Sequence, residues 1–463
     1  LQLAANGLQL FTTDRLSKNM QDKQINGFSK KSKPGKLDWV TGVFCENPAE
    51  AQAEFSSFWH PDERLQKIID GFSENTISNF VLPYGIAPNF LINGKTYAVP
   101  MVIEESSVVA AASSAAKYWM DRGGFHVQVR DTVKLGQVHF LWSGEAARLR
   151  AVFPQMEQQL RTDAAYLTAN MEKRGGGITG IELLDLSAQE PQLFQLKASF
   201  ETCDSMGANF INSVLEEFAS SLERFVENCA ELPENERRVE VVMAILSNYT
   251  PDCLVSAWVE CPVDALGDPG KAEEGRDMAE RFRRAVRIAQ IDPWRATTHN
   301  KGIMNGIDAV VLATANDFRA VEACAHTYAA RDGQYRSLSD CRIENGIFHF
   351  RLDIPLALGS VGGLTKLHPL AARSLEILGH PSAEELMMIT AAVGLAQNFA
   401  AVRSLVTTGI QKGHMRMHLM NILNHIGAAE AEVEAAAAHF ADQTVSFSAV
   451  RDFIDQLRAV QPA

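Results

Sequence analysis

Between residues 126 and 248 the apolar positions change their period several times. His126 to Val129 and Val138 to Trp142 alternate as strands do and predict a hairpin. Leu149, Val152, Phe153, Met156 and Leu160 then share one face of a helix predicted from Glu145 to Asn170. Strands are predicted at Ile178 to Leu186 and Leu193 to Phe200, a second helix from about Ala208 to Glu227, and a strand at Val239 to Leu246. Two helices on one antiparallel sheet make a compact ferredoxin-like unit, inserted in a larger domain.

The flanking segments carry other patterns. Ser107 to Met120 is apolar on nearly every face, which predicts a helix surrounded by protein at the centre of the largest domain. A short strand signal, Val99 to Ile103, precedes it and places Glu104 and Glu105 at the junction. Further on come a helix near Ala272 to Gln290, an apolar run at Ile307 to Thr314 and a helix from Asp317 to Ala330. Asn345-Gly346 between two apolar runs predicts a hairpin, and Ser382 with Glu385 forms a capping box that opens the next long helix. The most apolar stretch, Leu386 to Leu405, is interrupted by Gln397, Asn398 and Arg403, so it reads as a buried helix and not a membrane span. After Gly413 three helical stretches form a small terminal unit.

The expected fold class is α+β. Residues 1–126 and 249–408 form a large mixed domain around a buried central helix, 127–248 the inserted small antiparallel-sheet domain, and 409–463 a C-terminal helical unit. A net charge of -13 argues against nucleic acid as a partner. Seven cysteines without a Cys-x-x-Cys spacing argue against a disulfide scaffold and a structural zinc site, so no metal is expected. The first 24 residues lack the charged start and continuous apolar block of a secretion signal, and a cytoplasmic, reducing compartment is expected, with no membrane partner.

A few polar groups stand in unusual company. Glu105 at a helix start is ordinarily a favourable dipole contact, yet beside a second acid it could carry a proton. Lys301 lies among two glycines and two asparagines in 297 to 308, denser than a solvated loop needs and suited to backbone approaching a ligand. Asp317 by default caps a helix. His414 shares a helical face with His418, but a histidine pair alone does not make a zinc site. Gly175 to Gly177, and Asp204 to Asn209 at a helix start, could approach a phosphate, although neither is a Gly-x-Gly-x-x-Gly fingerprint.

In their order along the chain these segments resemble the class II, bacterial hydroxymethylglutaryl-CoA (HMG-CoA) reductases. The matching stretches are Glu74-Asn75, Leu82 to Tyr84, Asn89 to Gly94, Val99 to Ala112, Asp204 to Asn209, Asp292 to Asp308, Ala313 to Ala323, Val361 to Leu370, Gly394 to Asn398 and Gly409 to Met415. The resemblance implies Glu105, Lys301, Asp317 and His414 as the catalytic set. Ser107, Arg295, Thr298 and Asn305 would bind substrate. In that scheme Lys301 stabilises the developing oxyanion and Asp317 orients Lys301, while Glu105 supplies protons and His414 protonates the departing CoA thiolate.

The resemblance further implies that the inserted unit binds the nicotinamide cofactor through Asp204, Met206, Gly207, Ala208, Asn209 and Asn248, and that the C-terminal unit is a mobile flap. A homodimer with shared sites, or a higher oligomer, is expected, with HMG-CoA, mevalonate and CoA as ligands. Two other uses of the same residues stay open: NAD-dependent oxidation of mevalonate, and CoA-ligand binding without turnover.

Four positions depart from the family pattern. Ser106 replaces a proline, Ala315 a glycine, and Lys30 or Lys31 stands where relatives place an arginine on a CoA phosphate. Thr168 stands where NAD-preferring relatives have an acid that bonds the adenine ribose. With Lys173 and Arg174 nearby, NADPH is favoured over NADH, whereas Asp163 or Glu172 at that place would reverse the preference.

Overall fold

The structure is a computed structural model that describes residues 23–268, 270–407, 419–441, 443 and 445–460. Two units separate at Leu82 and Pro83. Among its described residues the first holds the α-helices α1 (Lys33–Phe44), α2 (Pro48–Ser57) and α3 (Glu63–Asp70). Ser32 and Asp62 cap α1 and α3 by accepting from backbone N–H groups of their first turns, and Lys33 bonds Asp70 at 2.7 Å to tie the two helices together.

The second unit is α+β. In chain order it runs β1 (Tyr84–Ile92), β2 (Lys95–Val102), α4 (Val108–Met120), β3 (His126–Val129), β4 (Lys134–Trp142), α5 (Ala146–Glu172), β5 (Gly177–Asp185), β6 (Leu193–Glu201), α6 (Ala208–Asn228), β7 (Val239–Ser247) and β8 (Leu254–Pro262). Next come α7 (Ala272–Ile291), α8 (Pro293–Ala313), α9 (Phe318–Ala329), β9 (Ser339–Glu344), β10 (Ile347–Pro355), α10 (Pro369–Ile377) and α11 (Ala383–Val406). Residues 419–425 are helical, followed by α12 (Glu430–His439) and α13 (Phe447–Val460).

The small sheet has the order β5-β6-β4-β7, antiparallel throughout. With α5 and α6 on one face this is the ferredoxin-like arrangement that the changes of period predicted. The expected hairpin of 126–129 with 138–142 does not form. β3 pairs with β8 in a second sheet, β3-β8-β10-β9, so the chain leaves one sheet for the other between Val129 and Lys134. Asn345 and Gly346, at φ of 51° and 75°, make the predicted turn between β9 and β10.

Separate apolar cores lie under the second sheet with its helices, under the small sheet, and among residues 419–454. The helix at the centre of the first of these is α11 and not 107–120. Residues 386 to 399 of α11 are buried almost without a break, whereas α4 exposes Ala110, Ser114 and Lys117 along one edge. α11 is the described helix long and apolar enough to cross a membrane, and 78% of that stretch is buried inside the protein. Ser382 and Glu385 close the capping box at its start.

Residues 297 to 308, whose glycines the sequence suited to backbone approaching a ligand, are helical. α8 runs through both glycines into the apolar run. Gly306 serves packing: a Cβ there would sit 2.9 Å from the Gln397 Cβ and the Val393 carbonyl of α11. A Cβ on Gly394 would sit 2.8 Å from Ile307. The two helices therefore cross at close approach, each offering a glycine to the other. Buried polar groups fix the rotation of α8 at that crossing. His299 Nε2 contacts Ser339 Oγ at 2.7 Å, Ser339 donates to Asn398 Oδ1 at 2.8 Å, and Asn300 bonds the Arg336 carbonyl and the Leu338 N–H. Burial drives His299 down to about 3, with Arg295 adding to the effect, so this ring is neutral. Farther along α8, burial raises the Asp308 carboxyl well above the usual carboxylate range, and Glu322 of α9 adds to the shift.

The crossing makes Gly306 and Gly302 respond oppositely to the same substitution. Gly306→Ala should lower unfolding stability by about 1 to 3 kcal/mol despite its better helix propensity, because the helices must part. Gly302→Ala, where a Cβ meets nothing within 4 Å, should instead raise stability by up to about 1 kcal/mol. Denaturant unfolding of the two variants measures the opposite signs. For Asp308 the folded protein holds a proton that the unfolded chain releases above a pH of about 4. The stability it contributes is complete below that pH and is lost as pH rises towards the folded-state value. Unfolding curves from pH 5 to 8 should therefore fall more for the wild type than for Asp308→Asn, whose amide keeps no titrating proton.

Candidate active site

β2 ends at Val102 and delivers Glu104 and Glu105 to the turn before α4, where Ser107 takes a left-handed backbone with φ of 79°. That conformation costs a non-glycine residue of order 1 kcal/mol and is typical of functional turns. On α8, Thr298, Lys301 and Asn305 follow one another by three and four residues and so share one face, opposite the buried stripe of Ile303, Gly306 and Ile307. The turn and this face meet: Lys301 Nζ donates to Glu105 Oε2 at 2.7 Å, and Asn305 Nδ2 donates to the same oxygen at 3.2 Å. The pair is open to solvent, with side chains 59% exposed for Lys301 and 39% for Glu105. Arg295 is half-buried one turn before Thr298, and burial lowers its pKa from the ordinary value. Thr298 donates to the Trp294 carbonyl at 3.5 Å.

Asp317 caps α9, accepting from the N–H groups of Arg319 and Ala320. Its carboxylate also pairs with the Arg319 guanidinium at 3.0 and 2.9 Å, and this contact first, with those N–H groups, holds its pKa below the usual range. The ion-pair partner of Lys301 is thus Glu105, and that of Asp317 is Arg319. Ala315 lies at φ of 55°, directly after α8. A left-handed residue there lets the N–H groups of Ala315 and Asn316 bond the Leu312 and Val311 carbonyls, a conformation that glycine would adopt at less cost.

The segment Asp204 to Asn209 joins β6 to α6 and is stitched to the residues around it. The Asp204 carboxylate accepts from Ala383 N–H at the start of α11, and its carbonyl accepts from Ser360 and Val361. Gly207, at φ of 87°, has no room for a side chain, since a Cβ would sit 2.5 Å from Thr202. α6 then starts without a side-chain cap, leaving first-turn N–H groups free for an anion. Met206, Ala208 and Asn248 line one cleft together with Ala320 and Val321 of α9, which places the segment beside the helix that Asp317 caps. Asn209 is exposed on the first turn of α6.

Thr168 is 1% exposed on the inner face of α5, and its hydroxyl donates to Glu172 at 2.6 Å. Glu172 packs beside Gly177, while Lys173 and Arg174 are exposed at the turn into the triple glycine. His414 lies outside the described residues. Among the described residues no group of three or more His, Cys, Asp or Glu side chains could hold a metal ion.

Two groups escaped the sequence reading. Arg319 was legible only as part of a matched motif, although its place two residues after a helix cap suits a carboxylate partner. Lys134 lies on the buried side of β4 and lines the same cleft. Its signal was a lysine in register with Val138, Phe140 and Trp142, four residues before the predicted strand began.

The geometry offers a carboxylate that accepts from both a cation and a carboxamide on one open helix face. Such a centre can polarise a carbonyl and move a proton. The family profile described as hydroxymethylglutaryl-coenzyme A reductase matches residues 44–419. The chain is 36% identical over 440 residues to the 3-hydroxy-3-methylglutaryl-coenzyme A reductase of Archaeoglobus fulgidus, covering 94% of this chain and 95% of that one. It is 34% identical to the probable enzyme of Borreliella burgdorferi, over 76% of this chain and 77% of the other. Among solved structures, the reductase from Streptococcus pneumoniae superposes with a TM-score of 0.68 at 34% identity, covering 94% of this chain and 99% of that one. A class II reductase structure from the same organism, bound to NADPH in open conformations, superposes at 0.66 with 36% identity, over 82% and 99% of the two chains. A profile match over most of the chain and relatives matched nearly end to end place this chain in the hydroxymethylglutaryl-coenzyme A reductase family of oxidoreductases.

Proposed function

We propose that the protein reduces HMG-CoA to mevalonate and CoA in two hydride steps, consuming two NADPH, with Glu105, Lys301, Asp317 and His414 as its catalytic groups. The observation that carries this reading is the contact of Glu105 with Lys301 and Asn305 on one open face. The bound dinucleotide supplies hydride. Lys301 holds the oxygen that turns negative as the thioester carbonyl is reduced, and Asn305 keeps Glu105 aimed at it. Glu105 delivers the proton to that oxygen and takes it back as the resulting thiohemiacetal collapses and expels CoA thiolate. His414 protonates the sulfur, and Glu105 protonates the oxygen again when the second hydride reduces the aldehyde to the alcohol. Asp317, held by Arg319, adds negative charge near the cleft when substrate draws Lys301 from Glu105. Ser107, Arg295 and Thr298 bind the hydroxymethylglutaryl end.

Asp204 to Asn209 and Asn248 hold the cofactor in the small domain. NADPH is favoured because the carboxylate beside the triple glycine, Glu172, is engaged by Thr168, while Lys173 and Arg174 are exposed at that turn to meet a 2'-phosphate. The division into a substrate domain (1–126 and 249–408), a cofactor domain (127–248) and a flap (409–463) is supported, beyond Leu82, by the separate apolar cores. A homodimer with shared sites suits a Lys301 that is more than half exposed on one chain, since chemistry at an oxyanion needs water excluded. The seven cysteines are free thiols, which suits the cytoplasm.

Purified protein given HMG-CoA should oxidise NADPH faster than NADH at equal concentration, read as absorbance loss. A faster rate with NADH would reverse the cofactor assignment. Lys301→Ala should lower turnover by about 10²- to 10³-fold with its elution volume unchanged. His414→Ala should slow reduction of the thioester but spare reduction of the free aldehyde, which has no thiolate to protonate. Near-normal turnover by the Lys301 variant would refute the mechanism.

A further inference from the structure

His299 is 2% exposed, and its Nδ1 is covered from solvent without a hydrogen-bond partner. The groups around the ring decide which nitrogen carries the proton. Asn398 Nδ2 donates to the His299 carbonyl at 3.5 Å, so the Asn398 Oδ1 is the acceptor that meets Ser339. The Ser339 hydrogen lies in that 2.8 Å bond, and Ser339 Oγ therefore accepts from His299 Nε2 at 2.7 Å. Burial keeps the ring neutral. A neutral imidazole protonated on Nε2 has its lone pair on Nδ1, and a buried acceptor is costly until a donor reaches it.

The nearest candidate donor is on the same helix. Arg295 stands one turn before His299 on α8, and helical side chains lean over the preceding turn, which brings the imidazole towards Arg295. The two are close enough for the Arg295 charge to oppose protonation of the ring. Arg295 is half-buried, its pKa is lowered by burial, and it makes no ion pair among the described residues. A cation rich in N–H donors thus adjoins an acceptor that lacks one. A charged His299 would repel Arg295, whereas the neutral ring protonated on Nε2 attracts it. The two groups are not bonded to each other in the structure, so the contact forms when Arg295 moves onto its ligand.

We propose that His299 is a positioning residue: as substrate binds, its Nδ1 accepts from Arg295 and directs the remaining N–H groups of that guanidinium onto the free carboxylate of the hydroxymethylglutaryl group. A guanidinium presents donors on more than one edge, so it can hold an imidazole with one N–H and a carboxylate with two others. The assignment rests on the reading of the chain as an HMG-CoA reductase with Arg295 at the acyl end. It gives the buried chain of Asn398, Ser339 and His299 a task besides fixing α8, which is to set the tautomer that Arg295 meets.

The test uses His299→Gln, whose amide can replace the Nε2 donor but not the Nδ1 acceptor, and His299→Asn, whose oxygen can replace Nδ1 but does not reach Ser339. KM and kcat are measured with HMG-CoA. Binding is measured with HMG-CoA and with the same thioester carrying a methyl group in place of the free carboxylate. His299→Gln should raise the HMG-CoA KM by about tenfold, as a weakened charge-assisted contact does, with a smaller change in kcat. Its affinity for the methyl analogue should match the wild type. His299→Asn should unfold at a lower temperature, because the bond to Ser339 is lost, yet raise KM less than His299→Gln does. In an Arg295→Met background His299→Gln should add no further loss. Heteronuclear spectra of the histidine ring nitrogens need no variant, and in the wild type they should include a neutral ring protonated on Nε2 whose Nδ1 signal moves when HMG-CoA binds. No such ring, an unchanged KM in His299→Gln, or equal losses with both thioesters would overturn the proposal. An Asn variant that loses as much as the Gln variant would leave His299 only its bond to Ser339 and overturn it equally. A wild type that binds HMG-CoA without reducing it would refute the reductase reading alone, since the binding constants would still decide the role of His299.

Discussion

The close crossing of α8 and α11 sets the geometry on which the site depends. Gly306 and Gly394 leave each helix without a side chain where the other presses against it, so the backbones approach to a distance that a methyl group would prevent. With that face of α8 committed to α11, the opposite face must carry Thr298, Lys301 and Asn305. The turn after β2 brings Glu105 to meet them. A lysine on a rigid helix is held more firmly than one on a loop.

Buried polar contacts prevent α8 from rotating about the crossing. His299, Ser339 and Asn398 form a chain from α8 through β9 to α11, and Asn300 pins the segment before β9. Each group would be costly if left unpaired, so the register is specified as well as stabilised. The small domain is joined to this frame by Asp204, which accepts from the start of α11, and Asn316 bonds both the N–H and the carbonyl of Gly359. A Cβ on Gly359 would sit 2.5 Å from the Met206 nitrogen. The start of α6 and the end of α8 are therefore held against one loop, which brings the segment 204–209 to the cleft lined by the helix that Asp317 caps.

Much of this was legible in the chain. Periods of two and 3.6 gave the elements of the ferredoxin-like unit to within two residues, apart from the start of β4 four residues earlier, because its strands and helices are each apolar on one face. The nature of 297 to 308 was hidden, since glycines that serve a helix crossing look like loop glycines until the partner helix is known. α4 was given the central place that belongs to α11 because small apolar residues on several faces do not reveal which face is covered. The hairpin of 126 to 142 failed for a similar reason: alternation identifies strands but not the sheet that receives them. The grouping of Glu105, Lys301 and Asn305 came from motif resemblance and could not have come from spacing, as nearly 200 residues separate the acid from the lysine. The partner of Asp317 was not foreseen, because an arginine two residues along competes with any distant lysine.

The central claim is that Glu105 and Lys301 act as one unit placed by the helix crossing. A double-mutant cycle with Glu105→Gln and Lys301→Met, read as turnover of HMG-CoA, tests it most directly. If the two side chains serve one event, each single change should remove most of the rate and the double change should cost little more than the worse single one. Losses that multiply independently would show that the contact in the structure is an ion pair without a shared catalytic role.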